Sequence, residues 1–275
     1  MNLPNRLNTC IVIVTFNPDL EFENNLLRHL DIVERIVIVD NNSNVEITTF
    51  IPELHKRRVE VIHSTNNNGI ASALNAGIKC AQNMSVDWVL TFDQDSLPNK
   101  NILSYYSEVL KNETNVGLIG TIFSPKLIEI NTISWKNKLT IITSGTLHPI
   151  KIFNTVGFYN EKLFIDDVDF DFSLRVDLAG YKVIRIQEPL LTHKLGSPIK
   201  KYGLISTNHN LLRRYYYARN HVFLTKSYFR RFPFWILKKN FFFFKSIFVL
   251  IIVEDNVLLK LGSIFKGAKD GLKNI

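Results

Sequence analysis

Cysteine is scarce in this sequence, which has two cysteines among 275 residues. Cys10 and Cys80 both lie within apolar patterns, and their separation matches neither a metal-ligand spacing nor a disulfide framework. We therefore expect two buried structural thiols in a protein of a reducing compartment. The N-terminal apolar stretch is soon interrupted by Asn17 and Pro18 and is too short for a secretory signal, so the sequence predicts a cytoplasmic protein.

Several common signals are also absent. The sequence contains neither GxxxxGK[ST] nor GxGxxG, so neither an ATPase phosphate loop nor a Rossmann dinucleotide site is indicated. Its most apolar stretch, residues 241–253, is 13 residues long and contains Lys245, whereas a bilayer-spanning helix needs about 20 apolar residues. The sequence has no internal repeat and no Pro/Gly/Ser-rich linker, so residues 197–275 are expected to form an appended helical region rather than a free domain.

The net charge of +8 is distributed unevenly along the chain. Residues 1–195 hold 18 Lys and Arg against 22 Asp and Glu, a balance of −4. Residues 196–275 hold 15 against 3, a balance of +12. Because aromatic residues are interleaved with these basic residues, the C-terminal part predicts contact with an anionic surface. The acidic balance of the first part argues against a continuous basic face, and hence against nucleic acid as the partner.

Short β-rich runs alternate with helix-length amphipathic segments in the first half of the chain. Two of those segments, residues 21–30 and 69–81, are long enough for crossover helices. The alternation predicts an α/β fold with a Rossmann-like, mainly parallel sheet flanked by helices on both faces. We assign residues 1–196 to this domain, with a nucleotide-binding half at 1–120 and an acceptor and catalytic-base half at 121–196. The predicted strands are CIVIVTF, RIVIVD, VEVIHS, WVLTFD and VGLIGTIF.

Polar side chains follow four of the predicted strands, at the points where these strands end. Ligands of a parallel sheet bind at the carboxyl ends of its strands, so these loops mark a candidate site. Ordinary turn chemistry of Asn, Asp and Gly explains any single loop equally well, but four neighbouring loops favour a shared ligand. The residues concerned are Thr15 and Asn17, Asp40 and Asn41, residues 66–68, and Asp93 and Asp95.

Asp93 and Asp95 alternate with Gln94 where the fourth strand ends, so a small backbone turn lets both carboxylates reach one ligand. Mg²⁺ and Mn²⁺ prefer oxygen ligands and often share their coordination shell with phosphate oxygens. A cation held there would neutralise the charge of a diphosphate leaving group. The alternative is a turn in which the aspartates cap backbone amides, because an isolated DxD pattern is a weak signal.

A second acidic cluster, Asp166, Asp167, Asp169 and Asp171, lies at the start of a predicted helix. Acids are stabilised at a helix N-terminus by the helix dipole, so part of the cluster is explained by stability alone. Asp171 has Arg175 four residues on, an i,i+4 pair with a structural role. No basic residue follows Asp169 at that spacing, and neighbouring like charges would raise its pKa, as suits a general base near neutral pH. We therefore predict Asp169 as the base, with Asp166 second.

An ordered set of motifs resembles the family 2 glycosyltransferases of the GT-A fold: VIVTFNPD, VDNNSN, NNNGIASALNAGI, FDQDS and FIDDVDFDFSLR. Within that family, the set is most similar to the bacterial rhamnosyltransferases of polysaccharide and O-antigen assembly. The resemblance covers residues 9–225, which is most of the chain. Each motif is weak alone, but their order and spacing make the set specific.

The resemblance implies nucleotide-binding roles for five residues. Thr15, Asn17 and Asp40 match the loops that hold the nucleotide, with Asp40 placed to accept a hydrogen bond from the base. Asn68 and Asn75 match the asparagines of the family's NxGxxxAxNxG stretch, which also borders the nucleotide.

The same resemblance implies the metal ligands and the base. Asp93 would lie near the ribose and the metal, and Asp95 would bind Mg²⁺ or Mn²⁺ and bridge it to the diphosphate. Asp169 matches the base of the family's ED motif, with Val168 replacing the usual glutamate, a departure similar to that of the rhamnosyltransferase subgroup. His193 matches a histidine near the metal or diphosphate, although a lone histidine is also typical of a structural role.

The implied activity is inverting sugar transfer, with L-rhamnose from the nucleotide-sugar dTDP-β-L-rhamnose moved onto a lipid-linked oligosaccharide in O-antigen or other lipopolysaccharide biosynthesis. Asp169 would deprotonate the acceptor hydroxyl while the metal stabilises the departing diphosphate. The alternatives are a transferase for a UDP-hexose such as glucose or galactose, and a non-catalytic sugar-nucleotide-binding scaffold. The presence of the DxD pattern and of Asp169 argues against the scaffold.

The C-terminal region and the implied acceptor together predict a peripheral protein at the inner face of the cell membrane. Residues 232–253 are basic and aromatic, as is typical of a segment lying in the interface of an anionic leaflet. The alternative is that these aromatic residues pack on the catalytic domain or on a second subunit. The sequence leaves the oligomeric state open.

Overall fold

The computed structural model describes residues 2–126, 128–193 and 198–273. The chain divides into two compact units. The first comprises residues 1–161 and 168–194, and the second comprises residues 162–167 and 195–275. The short segment 162–167 therefore belongs to the second unit, although it interrupts the sequence of the first.

Four parallel strands form one side of the sheet in the first unit: β1 (Thr9–Thr15), β2 (Arg35–Asp40), β3 (Val59–His63) and β4 (Trp88–Asp93). They lie in the order β3-β2-β1-β4. Ile11 and Ile13 of β1 are fully buried and pair in register with Ile36 and Ile38 of β2. The apolar runs predicted all four strands, and parallel pairing brings their carboxyl ends to one edge of the sheet.

Helices α1 (Phe22–Ile32) and α2 (Gly69–Gln82) connect these strands where the amphipathic pattern predicts them. Helix α2 packs directly on β1 and β2. Gly77 permits this approach, because a Cβ atom at that position would collide with Val12 Cγ1 and lie 3.1 Å from Val39 Cγ2. The helix and the sheet are therefore closer than any larger residue at position 77 would allow.

The other side of the sheet is mixed. Along the chain, β4 is followed by β5 (Ser96–Pro98), α3 (Ile102–Asn112), β6 (Val116–Ser124), β7 (Trp135–Asn137) and β8 (Thr146–Pro149). Strand β8 is antiparallel to β4 and β6, whereas β6 is parallel to β9 (Lys182–His193). The predicted α/β fold with flanking helices is confirmed, and its parallel pairing is concentrated in the first four strands and in β6 with β9.

Two α-helices lie between β8 and β9, namely α4 (Ile152–Val156) and α5 (Val168–Leu178). The acidic cluster predicted the second of them. It ends shortly before Gly180, whose φ of +85° favours glycine and stops the helix. Helix α5 therefore begins inside the acidic cluster, as expected for side chains that are stabilised by the helix dipole.

The two cysteines differ in their surroundings. Cys10 is fully buried in β1, and this burial raises the pKa of its thiol to about 12. Cys80 is only partly buried, although desolvation still raises its pKa to about 11. The prediction of two buried thiols therefore holds for Cys10 and is wrong for Cys80.

The second unit contains the hairpin β10 (Ile199–Lys201) and β11 (Leu204–Ser206), followed by α6 (Leu211–Tyr228), α7 (Pro233–Val253) and α8 (Val257–Leu272). Gly267 and Gly271 let α8 approach α6 closely, because a Cβ at either position would collide with a backbone carbonyl of α6. Glu254, just after α7, is buried and pairs with Arg214 and with Lys260 at 2.7 Å. These contacts link the three helices within the unit.

Helix α7 carries apolar side chains on two opposite faces. One face is buried and includes Ile236, Phe243 and Leu250, which are spaced seven residues apart. The other face is an apolar stripe whose side chains are each at least half exposed: Phe234, Leu237, Phe241, Phe244, Phe248 and Ile251.

Across the described residues, no helix is both long enough and apolar enough to cross a bilayer.

Candidate functional site

The loops that follow β1 and β2 are joined by hydrogen bonds at the edge of the sheet. Asp40, the last residue of β2, is buried and accepts hydrogen bonds from the hydroxyl (2.5 Å) and the backbone N–H (3.2 Å) of Ser43. The Thr15 hydroxyl lies 3.5 Å from the same carboxylate. Asn17 has a φ of +47°, donates from its backbone to the Ser43 hydroxyl (2.7 Å), and accepts from the Asn44 N–H (2.8 Å). The structure thus brings Thr15, Asn17 and Asp40 together.

Asparagine side chains join the loop after β2 to the loop after β3. Asn41 donates to the Asn67 side-chain oxygen (2.9 Å) and accepts from the backbone N–H of Asn68 (3.1 Å). The same Asn67 oxygen accepts from the N–H of Gly69, the first residue of α2 (3.0 Å). The Asn68 side chain itself is exposed. Asn41 and Asn67 therefore shape the loop, and Asn68 is accessible to a ligand.

Asn75 lies deeper than the other residues predicted to bind nucleotide. Its Nδ2 donates to the Tyr159 carbonyl (2.9 Å) and to Glu161 Oε1 (2.8 Å), and its Oδ1 accepts from the Tyr159 N–H (2.9 Å). The side chain is buried and both of its amide protons are used. Its role in this structure is to hold residues 159–161 against α2, and contact with a nucleotide stays a prediction.

Asp93 and Asp95 flank the turn between β4 and β5, and both are half-buried. Gln94, between them, accepts from the Phe16 N–H (2.7 Å) and donates to the Phe16 carbonyl (3.3 Å). Its own carbonyl accepts from the Asn25 side chain (3.2 Å). The aspartate turn is therefore tied directly to the loop after β1, which completes the convergence predicted from the strand ends.

The segment before β8 supports the same turn. The Asp93 N–H donates to the Ser144 hydroxyl (3.3 Å), and the hydroxyls of Ser144 and Ser96 lie 2.7 Å apart. Ser96, which follows Asp95, pairs with His193 in the ladder between β5 and β9. The backbone of His193 is thus beside the turn, but its side chain lies outside the described part of the chain, so its metal-binding role stays a prediction.

The donor atoms at the turn suit a hard divalent cation. Carboxylates at positions 93 and 95 offer oxygen ligands, and Mg²⁺ or Mn²⁺ commonly completes its shell with phosphate oxygens and water. Among the side chains that the structure describes, no three His, Cys, Asp or Glu residues are grouped as a metal cage. In donor type, the two carboxylates at the turn fit Mg²⁺ or Mn²⁺, and cation binding there stays a prediction.

Asp169 is the second residue of α5 and is half-buried. It borders a small cavity that is also lined by His148, Tyr159 and Ser173. Burial raises the pKa of the Tyr159 hydroxyl, and the negative charge of Asp169 raises it further. Burial also lowers the pKa of His148 to about 4, and its Nε2 lies 2.8 Å from the Tyr159 hydroxyl. A neutral His148 therefore accepts from Tyr159 beside the predicted base.

The other acids of the cluster have structural partners. Asp166 receives the Arg213 guanidinium, with Nη2 at 2.9 Å from one carboxylate oxygen and Nε at 3.2 Å from the other. Asp171 is buried and pairs with Arg175 at 2.9 Å, as the i,i+4 spacing predicts. These pairs give Asp166 and Asp171 structural roles, and the assignment of Asp169 as the base stays a prediction.

Sequence reasoning missed the residues that join one loop to another. Their partners are far away in sequence, so no local pattern marks them. Position beside a predicted strand end was the one available signal, and it did not distinguish them from ordinary turn residues. They are Ser43, Gln94 and Ser144.

The fold is that of the GT-A glycosyltransferases. One similar structure is the mannosyltransferase PcManGT from Pyrobaculum calidifontis in complex with GDP-Man and Mn²⁺, with a TM-score of 0.64 at 13% identity, covering 95% of this chain and 75% of that chain. Another is a fragment of TarS from S. aureus in complex with UDP-GlcNAc, with a TM-score of 0.58 at 13% identity, covering 79% of this chain. This chain spans 66% of that fragment, slightly less than two thirds.

The sequence matches are more specific than the structural ones. The model of Glycosyl transferase family 2 matches residues 10–165. A curated relative, the dTDP-rhamnosyl transferase RfbF of Shigella flexneri, is 30% identical over 241 residues, which cover 80% of each protein. The chain therefore belongs to glycosyl transferase family 2, as its motifs predicted.

Proposed function

We propose that this chain is an inverting, metal-dependent transferase that moves L-rhamnose from dTDP-β-L-rhamnose onto a lipid-linked oligosaccharide. The observation that carries the proposal is the aspartate turn at 93–95, which Gln94 fixes against the loop after β1. This turn is at the strand ends where Asp40 is also found. The relative that is named a dTDP-rhamnosyl transferase supports the choice of donor.

In this proposal, different residues bind the donor and activate the acceptor. Thr15, Asn17 and Asp40 bind the nucleoside, and Asp93 and Asp95 hold the diphosphate. The divalent cation, when bound there, supplies a positive charge that stabilises the leaving diphosphate. This half of the site therefore orients the anomeric carbon and prepares the departure of the nucleotide.

Asp169 acts on the acceptor. Its carboxylate takes the proton of the acceptor hydroxyl as that oxygen attacks the anomeric carbon. A single displacement inverts the anomeric configuration, so a β-linked donor gives an α-L-rhamnoside. The buried Tyr159 and the neutral His148 beside Asp169 limit the access of water to the carboxylate from the protein side.

The test is a panel of nucleotide sugars offered to the purified chain with a lipid-linked acceptor or a membrane extract. The panel includes dTDP-β-L-rhamnose, UDP-glucose and UDP-galactose, with EDTA followed by Mg²⁺ or Mn²⁺. We expect transfer from dTDP-rhamnose that is lost with EDTA and restored by the cation. Asp169→Asn should lower kcat by about 10²–10⁴-fold, the usual contribution of a general base.

Two further variants separate the site from the rest of the surface. Asp95→Ala should weaken the dependence on the cation and lower the rate of transfer. Asp31→Asn changes an exposed aspartate of α1 and is the matched control, expected to retain full activity. Full transfer by both Asp169→Asn and Asp95→Ala would disprove the mechanism, and transfer from a UDP-hexose alone would disprove the rhamnose assignment.

In this proposal, the second unit attaches the enzyme to the inner face of the membrane. The exposed stripe of α7 supplies apolar side chains to the lipid interface, and Lys238 and Lys245 are exposed on the same helix. Helix α7 contains no Asp or Glu, so its charge complements an anionic leaflet. A surface-bound enzyme meets a lipid-linked acceptor by diffusion in two dimensions.

A further inference from the structure

The segment 162–167 leads directly into α5, so its conformation sets where that helix begins. Three of its residues, Phe164, Asp166 and Asp167, have φ values of +63°, +63° and +62°. Left-handed backbone is unfavourable for residues other than glycine, and for a bulky residue such as phenylalanine it is a true outlier. Such a conformation persists only where neighbouring groups impose it.

Asn220 of α6 contacts this backbone at three carbonyls. Its Nδ2 donates to the carbonyls of Leu163 (2.8 Å), Ile165 (2.8 Å) and Asp166 (2.9 Å). Its Oδ1 lies 2.9 Å from Arg219 Nη2, and a guanidinium can only donate, so the amide is oriented with its N–H groups toward the carbonyls. Asn220 is fully buried, which makes these bonds costly to lose.

Neighbouring side chains on α6 hold the same segment. Arg213, Tyr216 and Asn220 are spaced i, i+3 and i+7, so they share one face of the helix. Arg213 pairs with Asp166, and the Tyr216 ring stacks on Phe164 with centroids 4.6 Å apart. One face of α6 therefore contacts the side chains of two left-handed residues, Phe164 and Asp166. The same face also binds the backbone carbonyls of the turn.

We propose that Asn220 is a positioning residue for Asp169. It acts by holding the 163–166 turn in its left-handed form, and the last carbonyl that it binds precedes Asp169 by three residues. A change in that turn would rotate the start of α5 and displace the carboxylate from the acceptor hydroxyl. This inference rests on the proposed role of Asp169 as the base.

The test is a double-mutant cycle between Asn220→Asp and Asp169→Asn, read as kcat for transfer and as the dissociation constant of dTDP. Asn220→Asp has the same shape but loses the N–H donors. We expect kcat to fall by about 10²-fold, as a displacement of roughly 1 Å can cause, while dTDP affinity stays within twofold. In the Asp169→Asn background, Asn220→Asp should lower kcat by less than twofold, because the base is already absent.

Two variants control for damage to the fold. Glu254→Gln weakens the buried ion pairs of the same unit without touching segment 162–167, and it should lower Tm but leave kcat unchanged. Arg213→Gln removes the half-exposed partner of Asp166 and should fold even if Asn220→Asp does not. Arg213→Gln should reduce kcat by a smaller factor than Asn220→Asp, and this reduction should also disappear in the Asp169→Asn background.

The outcomes separate this inference from the proposed function. The positioning role would be overturned if the losses of kcat multiply in the double variant. It would also be overturned if Asn220→Asp and Arg213→Gln both keep the kcat of the wild type. A fully active Asp169→Asn enzyme would overturn the assignment of the base itself. Loss of dTDP affinity in Asn220→Asp that equals the loss of kcat would indicate general damage and also overturn the inference.

Discussion

Gln94 and Phe16 are joined at both ends of one amide: the Gln94 oxygen accepts from the Phe16 N–H at 2.7 Å, and the Gln94 nitrogen donates to the Phe16 carbonyl at 3.3 Å. The two bonds resemble those between neighbouring β-strands, with a side-chain amide in place of one backbone. They hold the aspartate turn against the loop after β1. The middle residue of the DxD pattern therefore sets the distance between two loops that are assigned to different parts of the donor.

Replacement of Gln94 by leucine should weaken donor binding more than chemistry. Two hydrogen bonds that fix the donor-binding loops are lost at about 0.5–1.5 kcal/mol each, so the dissociation constant of dTDP should rise by roughly 5- to 150-fold. Isothermal titration calorimetry with the cation present measures this change. Gln82→Leu, at the last residue of α2, is the matched control and should bind normally. Equal affinities for the wild type and Gln94→Leu would contradict the proposed link.

Asp169 and Asp171 should respond to the same substitution in opposite ways. Asp171→Asn weakens the buried pair with Arg175 and should lower the free energy of unfolding by about 2 kcal/mol, with little change in kcat. Asp169→Asn should change the free energy of unfolding by less than about 1 kcal/mol and abolish most transfer. Chemical denaturation and initial rates on both variants provide the comparison. The reverse pattern would exchange their assigned roles.

The contrast between these two acids indicates how far the sequence could be interpreted. The pairing of Asp171 with Arg175 was predictable because both residues lie on one helix at fixed spacing. The first four strands were predictable for a similar reason, since a buried parallel strand is a continuous apolar run. Local periodicity thus predicted the elements and the edge at which the polar loops meet.

Contacts between distant segments were not predictable in this way. Asn75 was expected to border the nucleotide, yet its amide protons bind residues 84 and 86 positions away. Asn220 lies 54 to 57 positions from the carbonyls that it binds in segment 162–167, and nothing in either sequence marks the other. Such pairings depend on the packing of whole helices, which a local pattern does not encode.

Burial of His148 should make the stability of the protein depend on pH. Its folded-state pKa is lowered to about 4 from the ordinary 6.5, so the unfolded chain binds more protons between these values. Stability from this histidine is therefore fully present above pH 6.5 and is lost as the pH falls toward 4, at up to about 1.4 kcal/mol per pH unit.

His148→Gln provides the check on this dependence. Urea denaturation at several pH values between 4 and 7 should give a smaller slope of unfolding free energy against pH for the variant than for the wild type. His29, which is also buried and has a pKa lowered to about 4, should keep part of the dependence in both proteins. Identical slopes would mean that the pKa of His148 is the same in the folded and unfolded chain, and would contradict the effect of its burial.

Gly77 and Gly262 predict opposite effects of the same substitution. A Cβ at position 77 would collide with Val12 Cγ1, so Gly77→Ala should destabilise the fold by about 1–3 kcal/mol. A Cβ at position 262 of α8 meets nothing within 4 Å, so Gly262→Ala should stabilise the protein by about 0.5–1 kcal/mol. Thermal unfolding of the two variants tests the pair, and a stabilised Gly77→Ala would show that α2 can move away from the sheet.

The exposed stripe of α7 should bind anionic vesicles. Spacings of three and four residues keep Phe241, Phe244 and Phe248 on one side of the helix, and the stripe from Phe234 to Ile251 is roughly 25 Å long at 1.5 Å per residue. Apolar contact with lipid and lysine contact with anionic headgroups then act together. Sedimentation should detect binding to phosphatidylglycerol vesicles that weakens in phosphatidylcholine and in 1 M salt.

Replacement of Phe241, Phe244 and Phe248 by serine should abolish this binding, because the triple variant loses apolar area and keeps every charge. Leu20→Ser and Leu54→Ser are the matched controls, since both side chains are as exposed as Phe234 but lie in the other unit. Sedimentation velocity on the same variants distinguishes lipid from a second copy of the chain. If the wild type dimerises and ignores vesicles, and the triple variant is a monomer, the stripe is a subunit interface and its assignment to the membrane is wrong.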